Sequence, residues 1–416
     1  MNRVGSIRTF SVVAAMILAS CSSSAKTPVN ATAAASSARS TQSPQVGARP
    51  TTDNELAGIA CRSPSDCIAV GQLAEGIDTL GPYTRTLIVE NNGAGWKVVS
   101  SPNAPGRAGS ALNGVTCVNS TMCIAVGYSD NSGSNPLTLI EEDVGSGWTI
   151  VPSPNPSAFG GIGSLSHVAC SGPTQCVAVG NYESENGKSQ TLIEEDHGHG
   201  WNLVPSPSTS ATEDNVLNRV ACARQSLCIA VGSYRSVGDY ELPLIESNSG
   251  SGWTIVPAPG TGGLSGIACP RTSWCVATGG EISFSSNVIT EQPSIEEMSG
   301  GAWDAVPVRE VVGTLGQVAC PIPTYCISIG SVFAATLGAS VGSVLVAERA
   351  GASWTLNHAP AFKNDVDSFG AIACPTPSRC IAVGDQLLAG RYPEPRATFI
   401  AEHTAQGWTV DPSPNV

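Results

Sequence analysis

The stretch LNGVTCVNSTMCIAVG, residues 112–127, is the clearest copy of a pattern that recurs, in degenerate form, about every 50 residues along the 416-residue chain. In each copy, two short apolar runs flank a polar segment that is bounded by two cysteines in a C-x5-C spacing. Fourteen of the 15 cysteines form seven such pairs. The pairs are Cys61/Cys67, Cys117/Cys123, Cys170/Cys176, Cys222/Cys228, Cys269/Cys275, Cys320/Cys326 and Cys374/Cys380. A self-similar unit of this length predicts either a β-propeller or a solenoid.

Each unit contains four short runs that are typical of β-strands. The first run ends at the first cysteine, and the second begins at the second cysteine. The third is exemplified by residues 137–141, and the fourth begins at a tryptophan, as in residues 148–151. Glycine, proline, asparagine and serine bound these runs, and no stretch has a sustained helical period. The tryptophans that keep the repeat are Trp96, Trp148, Trp201, Trp253, Trp303, Trp354 and Trp408.

Four strands in each of seven units predict an all-β chain that folds as a seven-bladed β-propeller, with four antiparallel strands per blade, over residues 53–416. A solenoid is the alternative, but it would need atypical units at its ends, and the outermost units are as regular as most inner ones. Whole blades come from contiguous sequence. Closure of the ring would then depend on packing between blades, unless the preceding segment adds a strand.

The C-x5-C pairs are interpreted as disulfides that clamp the turn between the first two strands of each blade. Cysteines at the two ends of such a turn lie at a separation that a disulfide can span. Zinc is the competing interpretation, but zinc sites gather four ligands at closer spacings, and the pairs would lie one to a blade in a chain with five histidines. We therefore expect no metal site and no cofactor.

The first 20 residues have the features of an export signal. Arg3 and Arg8 precede an apolar stretch, residues 10–19, that is too short for a permanent membrane span. The following residues, Leu18 to Cys21, resemble the lipobox of bacterial lipoproteins, which implies acylation of Cys21 and anchoring to the outer side of the cytoplasmic membrane or an equivalent surface. An ordinary secretory signal with a coincidental cysteine is the alternative. Residues 21–52 are rich in Ser, Ala, Thr and Pro and predict a flexible tether.

Charge argues against a nucleic-acid partner. The chain has 33 acidic and 20 basic residues, and only four of the basic residues are lysines. Proteins that bind phosphate backbones rely on clustered lysine and arginine. The acidic balance mainly implies solubility, and export makes seven disulfides plausible. We expect an exported protein whose partner is a protein or a carbohydrate.

The turn before the tryptophan resembles the Asp-box, or BNR repeat, of sialidase-like propellers, in which Asp or Asn stands five residues and Gly three residues before Trp. The pairs that match are Asn91/Trp96, Asp143/Trp148, Asp196/Trp201 and Asn248/Trp253. The resemblance implies a structural role, in which Asp or Asn bonds the backbone, Gly takes a positive φ and Trp packs beneath. Glu141 and Glu142, like Glu194 and Glu195, are interpreted as solvated strand ends, and His197 and His199 as polar surface.

Binding residues are expected on one face of the ring, because loops on a rigid scaffold carry function. The connections between the second and third strands, such as Gln72–Arg85 and Gly279–Pro293, and the crossovers between blades are long and irregular. Candidate ligand-binding residues there are Tyr83, Arg85, Tyr182, Tyr234 and Arg235. The position three residues before the first cysteine of a pair also varies, and it adds His167, Arg219 and Gln317 as candidates at the central opening.

The favoured function is a non-catalytic binding module in the cell envelope that presents variable loops to a protein or glycan. A sialidase-like glycoside hydrolase is the alternative. Sialidases of this fold need an arginine triad and an activated tyrosine, and their early Arg-Ile-Pro motif is absent here, where the local string is Ile59 to Pro64. We assign no catalytic residue. A scaffolding role, like that of other periplasmic propeller lipoproteins, rests on analogy of fold.

Overall fold

The computed structural model describes residues 53–78, 81–103, 109–130, 135–156, 161–224, 227–236, 240–285, 288–308, 311–332, 343–359, 366–387 and 396–415. These residues belong to one compact unit that spans Pro50–Val416. They form seven four-stranded sheets, each in simple chain order with antiparallel neighbours. The described residues contain no α-helix. The predicted seven-bladed β-propeller is therefore confirmed.

The strands are numbered in chain order, four to a blade. Blades 1 and 2 contain β1 (Asn54–Ser63), β2 (Asp66–Asp78), β3 (Gly81–Asn91), β4 (Trp96–Val99), β5 (Ser110–Cys117), β6 (Cys123–Asp130), β7 (Pro136–Asp143) and β8 (Trp148–Val151). Blades 3 and 4 contain β9 (Gly163–Gly172), β10 (Gln175–Glu183), β11 (Ser189–Asp196), β12 (Trp201–Val204), β13 (Asn215–Arg224), β14 (Leu227–Arg235), β15 (Glu241–Asn248) and β16 (Trp253–Val256). Blades 5 to 7 contain β17 (Gly263–Arg271), β18 (Trp274–Ser285), β19 (Val288–Ser299), β20 (Ala302–Ala305), β21 (Thr314–Ile322), β22 (Tyr325–Val332), β23 (Ser343–Ala350), β24 (Ser353–His358), β25 (Val366–Thr376), β26 (Arg379–Leu387), β27 (Arg396–Thr404) and β28 (Gly407–Asp411).

The hydrophobic core is divided into seven clusters, one at each boundary between neighbouring blades. The second strand of a blade contributes to two of them. Cys67 and Ala69 of β2 pack against blade 7, whereas Ile68 and Val70 pack against blade 2. Because both faces of this strand are buried, its sequence is a continuous apolar run without the polar alternation of a half-exposed strand.

The ring closes by packing of blade 1 against blade 7. Leu56 and Trp96 of blade 1 share a cluster with Ala371, Val383 and Ile400 of blade 7. Each described sheet is built from contiguous sequence, so none of them exchanges a strand with another blade. Of the two ways of closing the ring that the sequence left open, the described residues show side-chain packing.

All seven predicted disulfides are present. In the first four blades the bonded cysteines are direct partners in the ladder between the first two strands, as Cys61 is with Cys67. The strands often continue past the cysteines, so that in blade 1 the turn is reduced to the residues between Ser63 and Asp66. The five-residue segment is therefore mostly the end of a tight hairpin.

The second cysteine of each pair, besides lying near the end of the hairpin, belongs to the core. Cys326 of blade 6 and Cys380 of blade 7 are fully buried. Cys326 packs in the cluster between blades 5 and 6, and Cys380 in the cluster between blades 6 and 7. In these two blades the ladder between the first two strands shifts register at the cysteines. Cys326 and Cys380 pair directly with Arg349 and His403 of the third strands, as Cys67 does with Asn91 in blade 1. The second strand is covered on both faces, so the cysteine at its start, which is the second of the pair, is buried with it.

Two connections that the sequence indicated as irregular loops are in fact paired strands. Residues of Gln72–Arg85 continue β2 and β3 until Asp78 pairs with Gly81. Residues of Gly279–Pro293 continue β18 and β19 until Ser285 pairs with Val288. A backbone ladder needs no apolar alternation once it projects beyond the core, so these glycine-, threonine- and serine-rich segments gave no strand pattern.

The predicted export signal, the lipid-attachment residue Cys21 and the tether lie outside the described residues. Within the part of the chain that is described, no helix is long and apolar enough to cross a membrane.

Candidate functional site

Two faces of the propeller follow from the strand order, and they differ in regularity. The turn face carries the disulfide-clamped turns and the turns between the third and fourth strands of each blade. The loop face carries the connections between the second and third strands and the crossovers between blades. The sequence predicted binding residues on the loop face and at the central channel.

In the first four blades, the turn before the tryptophan is closed by one side-chain oxygen. Asp143 Oδ1 accepts hydrogen bonds from the backbone N–H groups of Gly145 and Gly147 at 2.8 and 3.0 Å. Both glycines have a positive φ, near 92° and 99°, which only glycine adopts easily. Equivalent contacts involve Asn91, Asp196 and Asn248. The tryptophans of these turns, Trp96, Trp148, Trp201 and Trp253, are 7–8% exposed. These polar side chains thus stabilise turns.

The acidic residues that end the third strand are not solvated, and this interpretation of the sequence is wrong. Glu141 is fully buried and accepts a hydrogen bond from Ser101 Oγ of blade 1 at 3.0 Å. Its neighbour Glu142 accepts from the indole Nε1 of Trp201 in blade 3 at 3.0 Å. Because alternate residues of a strand face opposite sides, two consecutive glutamates join a blade to both of its neighbours.

The same arrangement recurs around half of the ring. Glu194 accepts from Ser153 Oγ at 2.9 Å, Glu246 from Ser206 Oγ at 3.2 Å, and Glu296 from the backbone N–H of Gly260 at 3.1 Å. All are fully buried. Burial raises the pKa of Glu141 and Glu246 to about 8, and that of Glu194 and Glu296 to about 7. The corresponding residues of blades 1, 6 and 7 are Val89, Ala347 and Ala401.

The central channel is lined by the first strand of every blade and encloses a cavity of about 270 Å³. His167 from β9, Arg219 from β13 and Gln317 from β21 all line it. The other four blades have glycine or alanine at this position, namely Gly58, Gly114, Gly266 and Ala371. The sequence therefore located these three side chains at the central opening, and the structure brings them together there.

The polar side chains of the channel bond the backbone of neighbouring blades. His167 Nδ1 accepts from the N–H of Val220 at 3.5 Å, and Gln317 Oε1 accepts from the N–H of Ile372 at 2.9 Å. Burial, with the nearby charge of Arg219, lowers the pKa of His167 to about 3, so the imidazole is neutral at physiological pH.

Arg219 crosses the channel and binds carbonyl groups. Its guanidinium donates to the carbonyl of Ser166 in blade 3 at 3.3 Å and to that of Gly370 in blade 7 at 3.4 Å. Burial lowers its pKa to about 10, which leaves it charged. Its Nε is buried without a hydrogen-bond partner. The described channel can therefore hold an anionic or acceptor group beside Arg219. His167 and Gln317 instead stabilise the contacts between neighbouring blades.

The candidate residues of the loop face are spread over three blades. Tyr83 and Arg85 form a cation–π pair in blade 1, with the guanidinium carbon 6.0 Å from the ring centroid. Tyr182 packs against the cluster between blades 2 and 3, and Tyr234 against the cluster between blades 3 and 4. Arg235 lies at the end of β14, where its N–H donates to the carbonyl of Asp214 at 2.9 Å. The two tyrosines are therefore partly structural.

Tyr240 is the loop-face residue with the most accessible large side chain among the apolar and aromatic residues described, at 70% exposure. It directly precedes β15, and its carbonyl accepts the N–H of Ser236 at 2.9 Å, which fixes the base of the connection. An exposed aromatic ring on a fixed backbone contributes contact area at a low entropic cost.

Comparison with known proteins gives the fold. No protein-family model matches the chain, and no curated protein sequence is detectably similar to it. Among solved structures, the BP39L lectin from Burkholderia pseudomallei is similar over 88% of this chain and 99% of its own, at 12% identity and a TM-score of 0.54. YCF48 bound to D1 peptide matches over 80% and 91% at 13% identity and a TM-score of 0.47. A Trypanosoma rangeli sialidase in complex with sialic acid matches over 70% and 53% at 11% identity and 0.43. At 12% identity, the similarity to the lectin shows a shared fold alone.

Proposed function

We propose that this protein is a non-catalytic binding module of the cell envelope that presents its loop face to a protein or glycan partner. The difference between the two faces carries the proposal. The turn face repeats one clamped hairpin in every blade, whereas the loop face carries the projecting hairpins β2–β3 and β18–β19 and the exposed Tyr240. Variation concentrated on one side of a rigid ring is typical of a binding surface.

The chemistry of the described residues supports binding over hydrolysis. The acidic residues of the third strands bond the neighbouring blades or the backbone of their own turns. In the channel, His167 and Gln317 accept from backbone N–H groups, and Arg219 donates to carbonyls. These side chains therefore have partners within the protein. A sialidase would instead require an arginine triad and a tyrosine nucleophile that contact the substrate.

The proposed location in the cell envelope rests on one observation from the structure and one from the sequence. Seven disulfides in one domain are typical of proteins in oxidising, extracellular compartments. The lipid anchor at Cys21 rests on the sequence of the export signal. Metabolic labelling with an alkyne fatty acid should mark the full-length protein and should fail to mark a Cys21→Ser variant.

The binding function is tested by site-specific photocrosslinking in cells. A benzoylphenylalanine placed at Tyr240 on the loop face should give a discrete crosslinked product. The matched control is Val144, a residue of the turn face that is 62% exposed, where no product is expected. For a glycan partner, the purified protein is applied to a glycan array, and binding should fall in a Tyr240→Ala variant.

Equal crosslinking from both faces, together with array binding that ignores Tyr240, would contradict the proposal. Release of 4-methylumbelliferone from its sialoside by the purified protein would favour the hydrolase instead.

A further inference from the structure

We infer that a cavity between blades 3 and 4, on the turn face, is a binding site for a neutral saccharide unit. The cavity measures about 650 Å³ and is lined by residues of both blades. This is within the range of small-molecule sites, which are apolar pockets with a few convergent polar groups. The site is separate from the loop face and from the central channel.

One residue position explains why this boundary is open. The residue before the second cysteine of a pair points toward the next blade, on the same side of its strand as the apolar residue two positions later. At four other boundaries this position is filled by a side chain that packs into the interface, namely Met122, Leu227, Trp274 and Tyr325. In blade 1, Asp66 accepts a hydrogen bond from Arg62 at 2.9 Å, and in blade 7, Arg379 reaches the carbonyl of Pro64 in blade 1. Blade 3 has Gln175, which lines the cavity instead.

Gln175 provides an acceptor that has no partner within the protein. Its Oε1 is buried and makes no hydrogen bond. A buried amide carbonyl without a donor is costly, and most such groups in proteins are paired. Gln175 lines the cavity, so a rotation of its side chain would present Oε1 to a ligand hydroxyl that supplies the missing donor.

The carboxylate in the cavity already has hydrogen-bond partners within the protein. Glu195 Oε1 accepts from the indole Nε1 of Trp253 at 2.7 Å and from Asn248 Nδ2 at 3.3 Å. Its Oε2 lies 3.0 Å from Nε2 of His197, whose side chain is 62% exposed at the cavity mouth. Because donors already occupy both oxygens, Glu195 has little remaining capacity to coordinate a cation, and a ligand that carries hydroxyl groups is favoured.

One part of the wall is apolar. Val177 and Val204 of blade 3 belong to the same hydrophobic cluster as Trp253 of blade 4, and these residues line the cavity together with Pro205. An apolar wall next to a buried acceptor and a hydrogen-bonded carboxylate complements a sugar ring, which has C–H faces and hydroxyl edges. Sequence reasoning missed this site because it assigned His197 to polar surface and compared the turns rather than the residue before the second cysteine.

The test measures binding of free mono- and disaccharides by NMR of the tryptophan indole N–H groups in the full-length protein. The Trp253 signal, assigned with a Trp253→Phe variant, should shift in a saturable way with at least one neutral sugar. Gln175→Met, which copies Met122 of blade 2, should weaken that binding by more than about tenfold because it fills the cavity and removes the acceptor. Val144→Ala, at an exposed turn-face position of blade 2 outside the cavity, should leave the affinity unchanged.

Two results would overturn the inference: no saturable shift of Trp253 with any sugar of the panel, or equal affinity in Gln175→Met and the parent protein. If Gln175→Met does not fold, Gln175→Leu, which copies Leu227 of blade 4, replaces it. Intermolecular NOEs between sugar protons and the methyl groups of Val177 and Val204 test the site without any substitution. Loss of binding in Tyr240→Ala alone would assign the sugar to the loop face, so the two proposals are distinguished.

Discussion

At the residue scale, three consecutive acids in the third strand have three different structural roles. In blade 3, Glu194 bonds Ser153 of the preceding blade, Glu195 bonds Trp253 of the following blade, and Asp196 closes the turn of its own blade. A side chain's direction alternates along a strand, so a run that looks uniformly solvated in the sequence connects three separate parts of the molecule.

The buried glutamates should make stability depend on pH. Their pKa values are raised from 4.5 to about 7 or 8, so the folded state binds protons more tightly than the unfolded chain. Their contribution is complete below about pH 4.5 and is lost as the pH rises toward 8. We therefore compare the free energy of unfolding of Glu194→Gln with that of the parent protein. The difference between them should favour the variant by about 1–3 kcal/mol more at pH 8.5 than at pH 5.

Urea unfolding at the two pH values measures this difference. Glu185→Gln, at an exposed position of blade 3, is the control and should behave like the parent protein. A Glu194→Gln variant that shows the same relative stability at both pH values would rule out a buried glutamate with a raised pKa.

The sequence predicted the repeat positions of the blades better than the environment of each side chain. The cysteines and tryptophans gave the repeat, since each occupies one fixed position in a blade. The burial of Glu141 and Glu194 was missed because their partners, Ser101 and Ser153, lie about 40 residues away in another blade. A contact of that kind leaves no local pattern, and only the blade-to-blade geometry reveals it.

At the element scale, the disulfide-clamped hairpin is a local device. Each bridge joins residues six positions apart in the sequence, so it restricts a short loop of the unfolded chain and lies wholly within one blade. Replacing Cys170 and Cys176 together by alanine should lower the free energy of unfolding by about 2 kcal/mol, the chain-entropy value for a seven-residue loop.

The measurement is urea unfolding of this double variant beside the equivalent variant of Cys269 and Cys275. Similar losses are expected because both pairs close loops of the same length. Alkylation of the denatured, unreduced parent protein should modify none of the fourteen repeat cysteines. Unchanged stability in both double variants would show that the bridges do not contribute to folding.

The length of the projecting hairpins was also beyond the sequence. In blade 5 the ladder between β18 and β19 runs twelve residue pairs, from Trp274 with Ser299 to Ser285 with Val288. The apolar pattern ends near Gly279, where the strands leave the core. Backbone hydrogen bonds continue beyond that point, and they carry no signature in residue type.

At the scale of the whole molecule, the boundary between blades 7 and 1 is the one place where the ring is not continued by the chain. If side-chain packing at this boundary is as stable as packing between the other blades, equivalent core residues should contribute equally to the free energy of unfolding. Leu56 at this boundary and Leu165 between blades 2 and 3 occupy the same position and are almost fully buried. Each leucine-to-alanine change should cost about 2–5 kcal/mol.

Thermal and urea unfolding of the two variants compare these boundaries directly. Leu112→Ala, at the boundary between blades 1 and 2, provides a third value. A much smaller loss for Leu56→Ala than for the other two would mean that closure contributes little and that the ring opens there first.

The confinement of every disulfide to its own blade has a practical consequence. A cut in any crossover leaves two pieces with no covalent link, yet each piece keeps all of its sulfur bridges and complete sheets. Split versions of this protein, expressed as separate polypeptides, should need only matching apolar surfaces to reassemble, which makes the domain a natural scaffold for fragment complementation.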